Sequence, residues 1–260
     1  MSPVRHVIFD LDGTLVDSLP GIAFSVDAAL AACGLPQAGV DLAPLIGPPV
    51  REILAAVSGA TSRELLDWME RSFRASYDAE GWRRTVCLPG VPDMLRRLMT
   101  GGVDLWIATN KPALPTGRIL RELNVGGGAG GAACPRARKQ DRAKASPACP
   151  TSGLLTNSTT SDARSLGSFF REAACRDSRT PPFASKAEVL LDLLARHHLD
   201  RAACLMVGDT AEDWHAAETA GIACAIVGPG NGPRALPEGC CRMGGWEELE
   251  EMALMEEVSV

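Results

Sequence analysis

The chain has 260 residues, 46% of them hydrophobic, and a formal net charge of −6 at pH 7. This length and this hydrophobic content are sufficient for a globular protein with a sizeable core. The negative charge disfavours nucleic acid as a partner, and no apolar run approaches the roughly 20 residues that cross a bilayer, which argues against a membrane partner.

The first predicted element is a short apolar strand in residues 6–10, HVIFD. It begins too early for a cleavable signal sequence to precede it, so we expect an intracellular, cytoplasmic protein. Two carboxylates, Asp10 and Asp12, follow in the stretch VIFDLDGTLVDS. One interpretation is a turn after a strand, since Asp and Gly are common turn residues. The other is a catalytic pair, a nucleophile and a proton donor that a tight turn aims into one crevice.

Helical patterns dominate the chain after this strand. Three segments have the apolar spacing of helices, namely residues 21–34, 49–59 and 62–78. No convincing strand lies among them. We therefore predict a small helical cap domain, residues 17–86, inserted into a catalytic core that is formed by residues 1–16 and 87–260.

The rest of the chain alternates short apolar runs with helical patterns. The runs have the nearly continuous hydrophobicity of parallel strands that are buried on both faces. They are residues 6–10, 103–109, 203–209 and 223–228, with a further core strand expected near residues 169–175. This series predicts an α/β fold, a Rossmann-like open parallel sheet with right-handed crossovers.

Polar residues end three of these strands. Ligands bind beyond the carboxyl ends of the strands in such sheets, so Asp10, Thr109 and Asp209 are expected to converge on one site. The stretch GDTAED adds Asp213, which an N-cap or a favourable first-turn acid would explain equally well. Together with Asp12, these residues make four carboxylates at one sheet edge, which repel one another unless a hard cation lies among them. We therefore predict a Mg²⁺ site at Asp10, Asp12, Asp209 and Asp213.

A positive charge and an anion-binding loop are expected nearby for a phosphate. Lys186 lies in SKAE, whose first and last residues have the spacing of a capping box, so it begins a helix where the dipole disfavours a lysine. A solvated surface lysine is the alternative interpretation. Thr109 and Asn110 offer a hydroxyl, an amide and backbone N–H groups before a proline-marked helix start. Lys111 either adds charge there or faces water.

These stretches resemble a known family. FDLDGTLVDS, IATN, the lysine in ASKAE and VGDTAED resemble, in this order, the four motifs of the haloacid dehalogenase superfamily. The inserted helices, IGPPVREIL and YDAEGWRRTVCLPGVPDML further resemble its phosphoglycolate phosphatase-like branch, in which a small helical cap follows the first motif.

The resemblance implies a role for each matching residue. Asp10 would attack phosphorus and become an aspartyl phosphate. Asp12 would protonate the leaving group and then activate water. Thr109 and Asn110 would hold the phosphoryl oxygens, and Lys186 would offset the charge on Asp10 and on the transferring group.

The resemblance also implies a metal and a substrate class. Asp209 would hold Mg²⁺ beside Asp10 and the backbone carbonyl of Asp12, with Asp213 in support. The chain would then be a Mg²⁺-dependent phosphatase of a small phosphorylated metabolite, with 2-phosphoglycolate as the first candidate. The alternatives are a nucleotide or sugar phosphatase, a phosphomutase, and a catalytically impaired variant that acts as an interaction protein.

One segment, residues 125–165, departs from the family pattern. It is rich in glycine and basic residues and has no aromatic side chain. It cannot bury enough apolar surface to offset its ordering entropy, so we predict a disordered insertion. Deleting it joins RILRELN to LGSFFREAAC, which reads like an uninterrupted family member. The insertion is either a tolerated loop, which we favour, or a disturbance to the docking of Lys186.

Overall fold

A computed structural model describes residues 3–45, 49–125, 164–228 and 240–254. The strands are β1 (His6–Phe9), β2 (Val16–Asp17), β3 (Val86–Cys87), β4 (Asp104–Thr109), β5 (Ala173–Cys175), β6 (Cys204–Gly208), β7 (Ala223–Val227) and β8 (Cys241–Met243). The α-helices are α1 (Leu19–Ala32), α2 (Val50–Ser58), α3 (Arg63–Ala79), α4 (Val91–Thr100), α5 (Ala113–Glu122), α6 (Lys186–Arg196), α7 (Ala211–Ala220) and α8 (Trp246–Leu254). None of the helices in these ranges combines the length and the hydrophobicity needed to span a bilayer.

Six strands form one open sheet in the order β5-β4-β1-β6-β7-β8, and every neighbouring pair is parallel. The predicted Rossmann-like open parallel sheet is confirmed. Strand β8 was not predicted, because three residues at a sheet edge, with Cys241 and Arg242 exposed, carry no recognisable apolar run.

Strand β1 lies at the centre of the sheet, between β4 and β6. This position explains why the sequence of β1 is a continuous apolar run. Val7, Ile8 and Phe9 are each fully buried. Side chains alternate between the faces of a strand, and Val7 and Phe9 belong to one apolar cluster whereas Ile8 belongs to the other. Because helices cover both faces, no position of this strand after His6 is left for a polar residue until the strand ends.

A two-residue antiparallel ribbon joins the sheet to helices α1, α2 and α3. Val16 pairs with Cys87 and Asp17 with Val86. The three predicted helices are present between these strands, with α1 and α3 packed together. The expectation that residues 17–86 contain no strand is wrong at both ends, where this short ribbon closes the loop. The division of the chain into a core and a cap stays a prediction.

The two ends of the predicted insertion are paired with each other. The Val125 N–H donates to the Arg164 carbonyl oxygen at 2.9 Å, and Asn124 and Ser165 form an antiparallel bridge. The chain therefore leaves and returns at one place. Residues 126–163 lie outside the described part of the chain, so their predicted disorder stays a prediction.

This pairing predicts that residues 126–163 are dispensable for folding. Replacing them with Asn-Gly, the dipeptide that best joins two antiparallel strands, should leave thermal unfolding cooperative and the melting temperature unchanged or higher. Closing a shorter flexible loop costs less entropy, about 0.6 kcal/mol less for each halving of its length. Circular dichroism during heating checks this, with the full chain as control. A melting temperature lowered by more than about 5 °C would contradict it.

Candidate active site

The carboxyl ends of β1, β4 and β6 meet at one edge of the sheet. Their register is direct, with Phe9 opposite both Ile107 and Val207. A cavity of about 660 Å³ lies at this edge and is walled on its other side by residues of α2 and α3. The predicted site residues that line it are Asp10, Asp12, Thr109, Asn110, Lys186 and Asp209.

Asp10 is the residue that follows β1, and it is held in the sheet by its backbone. Its N–H donates to the Val207 carbonyl oxygen at 2.9 Å, and the residue is only 6% exposed. Its Oδ1 lies 2.9 Å from the Nζ of Lys186. A turn residue in water is therefore the wrong interpretation of Asp10, because its carboxylate is buried against an ammonium group.

Lys186 is the first residue of α6 and is 4% exposed, so the surface-lysine interpretation is wrong. The predicted capping box is only half formed. The Ser185 hydroxyl accepts from the Glu188 N–H at 3.3 Å, but the Glu188 carboxylate accepts from Ala184 N–H at 3.2 Å instead of from Ser185. The cap fixes the start of the helix, and this places the lysine side chain in the site.

Asp213 serves the helix and the site together. Its Oδ2 accepts from the N–H and the hydroxyl of Thr210, at 3.0 and 2.9 Å, which forms a capping box at the start of α7. Its Oδ1 lies 2.6 Å from the Nζ of Lys186. Asp213 is therefore the favourable first-turn acid of α7, with Thr210 as the N-cap, and the same carboxylate also contacts the predicted site lysine. Asp213 is fully buried and lies behind the residues that line the cavity.

Three carboxylates form a compact acidic cluster that fits a metal ion. Asp10, Asp209 and Asp213 are all buried, and each offers an oxygen that lies within 4.8 Å of the others. Burial raises the pKa of Asp10 to about 8, with the charges of the other acids adding to the effect and Lys186 opposing it. Burial and Asp213 likewise raise the pKa of Asp209 to about 6, against Lys186 and a 3.1 Å hydrogen bond from the Thr14 hydroxyl.

These shifts mean that the cluster carries more negative charge than its buried surroundings favour. A hard divalent cation relieves that repulsion, and the all-oxygen donor set suits Mg²⁺. The Asp12 carboxylate is not a member of this cluster and binds Lys111, so the predicted part of Asp12 in metal binding rests on its backbone carbonyl alone.

Two glycines allow the acids to approach their neighbours. Gly13 has φ +88°, and a Cβ there would lie 2.3 Å from Oδ2 of Asp209. A Cβ on Gly208 would lie 2.1 Å from Cγ of Asp213. Any side chain at either position would displace a carboxylate of the cluster.

Lys111 is a site residue whose role the sequence left open between added charge and exposure to water. It is 8% exposed, and its Nζ lies 3.0 Å from both carboxylate oxygens of Asp12. The ammonium also lies 4.7 Å from the ring centroid of Tyr77 on α3. Burial alone would lower the pKa of Lys111, but Asp12 and Tyr77 raise it. The sequence signal that could have identified Lys111 as a site residue is its position after the same strand end as Thr109.

The two predicted phosphate-binding residues, Thr109 and Asn110, differ in which of their hydrogen-bonding groups already have a partner. Thr109 Oγ1 accepts the Lys111 N–H at 3.2 Å, which leaves its own hydrogen to donate. The Asn110 amide donates to Glu212 Oε1 at 2.7 Å, whereas its Oδ1 is buried and has no partner among the described residues. Glu212 was not predicted, because nothing in the sequence pairs it with Asn110.

Comparison with known proteins agrees with this geometry. The family model of the haloacid dehalogenase-like hydrolases matches residues 4–221. The chain is 40% identical over 121 residues to tyrosine-protein kinase PtkA of Mycobacterium tuberculosis, a match that covers 46% of this chain and 40% of PtkA. It is 36% identical over 128 residues to phosphoglycolate phosphatase of Pseudomonas putida, which covers 47% of each chain.

These matches therefore span less than half the length of the curated relatives. The structural similarity covers more of the chain than these sequence matches do. The solved structure of M. tuberculosis PtkA superposes with a TM-score of 0.71, at 28% identity, over 96% of this chain and 98% of that one. The predicted family is confirmed, and the chain belongs to the haloacid dehalogenase-like hydrolases.

Proposed function

We propose that the chain is a Mg²⁺-dependent phosphatase of a small phosphorylated metabolite, with 2-phosphoglycolate as the first candidate, and that it acts in the cytoplasm. The observation that carries this proposal is the buried contact of Asp10 with Lys186, next to Asp209 and Asp213. The matching phosphoglycolate phosphatase of P. putida supports the choice of substrate.

Each residue of the site has its own role in the proposed reaction. The Asp10 carboxylate attacks phosphorus, and the bond from phosphorus to the ester oxygen breaks as Asp12, which must enter this step protonated, gives that oxygen its proton. Asp12 then takes a proton from the water that hydrolyses the aspartyl phosphate. Lys186 and the Thr109 hydroxyl balance the negative charge of the phosphoryl oxygens throughout. Lys111 holds the Asp12 carboxylate on the cavity side of the site.

The acidic cluster of Asp10, Asp209 and Asp213 would hold Mg²⁺, together with the backbone carbonyl of Asp12. Bound there, the ion supplies charge neutralisation and orients the phosphate. The protein contributes the placement of the donors, fixed by the end of β1 and by the capping box of α7.

Phosphate release by the full chain tests this function. With Mg²⁺ present, turnover is expected on at least one member of a panel of 2-phosphoglycolate, nucleoside monophosphates and hexose phosphates. With EDTA, turnover should fall at least about 100-fold, because a metal ion supplies several kcal/mol of charge stabilisation. Equal release in both conditions would contradict the metal proposal. Conversion of one sugar phosphate into another without free phosphate would indicate a phosphomutase.

The pKa shifts also predict how Mg²⁺ affects stability at different pH values. Asp10 and Asp209 have raised pKa values in the folded chain, so the folded state binds more protons than the unfolded state, and the contribution of these groups to stability falls as the pH rises from about 4 to 8. Mg²⁺ needs the ionised carboxylates. Its stabilising effect should therefore be larger at pH 8 than at pH 5.5.

Thermal unfolding with Mg²⁺ and with EDTA at each pH measures this effect. At a concentration of about 100 times the dissociation constant, Mg²⁺ should raise the melting temperature by about 5–10 °C at pH 8. The difference between the two conditions cancels the titration of groups far from the cluster. Asp209→Asn should abolish the increment, and an increment that is the same at both pH values would contradict the assignment.

The likeness to PtkA favours one second candidate, phosphoryl transfer to a protein tyrosine. The only tyrosine of this chain, Tyr77, is 4% exposed, so an acceptor would have to belong to another protein. Incubation with labelled ATP and a tyrosine-containing protein distinguishes the two functions. Label on the acceptor protein would favour the kinase, and label released only as inorganic phosphate would favour the phosphatase.

A further inference from the structure

One cationic side chain in the cavity has no acidic partner among the described residues. The cations that line the cavity are Arg51, Arg74, Lys111, Arg176 and Lys186. Four of them lie within 4 Å of a carboxylate: Arg51 of Asp67 and Glu70, Arg74 of Glu70, Lys111 of Asp12, and Lys186 of Asp10 and Asp213. Within the described ranges, Arg176 is the exception, although it lies in a cavity with several acids.

Arg176 is close to the reacting end of the cavity. It follows β5 directly, and Cys175 of that strand is opposite Thr109. Neighbouring strands are about 4.8 Å apart, so Arg176 and Asn110 leave the sheet from adjacent positions at the ends of β5 and β4. The arginine therefore comes from the same sheet edge as the predicted phosphate-binding residues.

The loop holds the arginine in place and, in the part of the chain that the structure describes, leaves its two terminal guanidinium nitrogens without a partner. The Phe183 N–H donates to the Arg176 carbonyl oxygen at 2.9 Å, and Arg176 Nε donates to the Phe183 carbonyl oxygen at 3.3 Å. The adjacent carboxylate, Asp177, accepts the Ala113 N–H at 2.7 Å, so it is engaged with the start of α5 instead. No other bond of the guanidinium is formed with the described residues.

We infer that Arg176 is a specificity-determining residue that binds a second anionic group of the substrate, either a carboxylate or a second phosphate. This inference rests on the proposed phosphatase function. In that function Lys186 and Thr109 serve the transferring phosphate, which leaves Arg176 for another anion. A guanidinium binds carboxylate and phosphate oxygens through paired N–H groups, and a cavity of about 660 Å³ admits esters of either kind.

Matched pairs of substrates test the inference and separate its two forms. 2-Phosphoglycolate against 2-hydroxyethyl phosphate tests the carboxylate, and fructose 1,6-bisphosphate against fructose 6-phosphate tests the second phosphate. For the pair that the wild-type chain discriminates, Arg176→Met should raise KM for the ester with two anions by about 10- to 100-fold and leave KM for its partner and both kcat values nearly unchanged. Arg176→Lys should restore part of the loss, since it keeps the charge but not the paired geometry.

Arg171→Met is the matched control. Arg171 precedes β5 at the opposite end of the strand and is exposed and paired with Asp104, so its loss changes the net charge equally without touching the cavity. Binding of the preferred two-anion ester to Asp10→Asn, with and without Arg176→Met, should show the same weakening by calorimetry.

These experiments distinguish failure of the Arg176 inference from failure of the proposed phosphatase function. If the chain hydrolyses phosphate esters with Mg²⁺ but Arg176→Met affects both members of each pair equally, or neither, then Arg176 does not read a second anion and only this inference fails. If no ester is hydrolysed, the proposed function fails and the inference fails with it.

Discussion

Asp10→Asn is expected to abolish phosphate release while leaving the fold at least as stable as in the wild-type chain. Asparagine has the shape of aspartate but cannot act as the nucleophile, so kcat should fall by about 10⁴-fold or more, as it does when a covalent nucleophile is removed from other hydrolases. The backbone bond from residue 10 to Val207 does not depend on the side chain and should persist.

Stability should respond in the opposite direction from activity. Burial and the neighbouring acids raise the pKa of Asp10, which means that its ionised form is disfavoured in the folded state. A neutral amide removes that penalty, and Lys186 keeps Asp213 as a partner at 2.6 Å. In EDTA at pH 8, the melting temperature of the variant should therefore equal or exceed that of the wild type.

Asp78→Asn is the matched control for this experiment. Asp78 lies on α3 and lines the same cavity, but it is not part of the acidic cluster. Its substitution removes the same charge, and kcat should stay within about threefold of the wild type. Retained turnover in Asp10→Asn, or an equal loss in Asp78→Asn, would show that Asp10 is not the nucleophile.

The backbone of the site could be predicted from the sequence because local patterns determine it. The continuous apolar run of β1 is required by burial on both faces, and the polar residue that follows it marks the strand end. The helix start at Lys186 follows from the serine before it. Strand β8 lacked such a pattern, since its position depends on the edge of β7 and not on its own three residues.

The partners of the side chains could not be predicted in the same way. The binding of Lys111 to Asp12 joins the loops that follow β4 and β1 and depends on how closely those loops pack. The bond from Asn110 to Glu212 joins a loop to the start of α7. The sequence shows that these groups share a sheet edge, but which carboxylate each cation or amide meets is decided by tertiary distances of a few ångströms.

Among the proposed variants, Lys186→Met is expected to lower the free energy of unfolding the most. Lys186 is 4% exposed and is the ammonium group that lies between Asp10 and Asp213, at 2.9 and 2.6 Å. Removing one partner of a buried ion pair leaves uncompensated buried charge, which costs about 3–5 kcal/mol. Urea unfolding in EDTA at pH 7.5 should show this loss in the free energy of unfolding, and phosphate release should fall to background.

A second substitution shows whether the loss comes from unpaired charge or from lost packing. Lys186→Met with Asp213→Asn removes one of the repelling carboxylates, so the double variant should be more stable than Lys186→Met alone, although it should remain inactive. Arg196→Met is the control on the same helix, because its pairs with Glu172 and Asp192 are partly exposed to solvent and should contribute less than about 1 kcal/mol. If the double variant is no more stable than the single one, the lysine acts through packing, and charge compensation is not what holds the acidic cluster together.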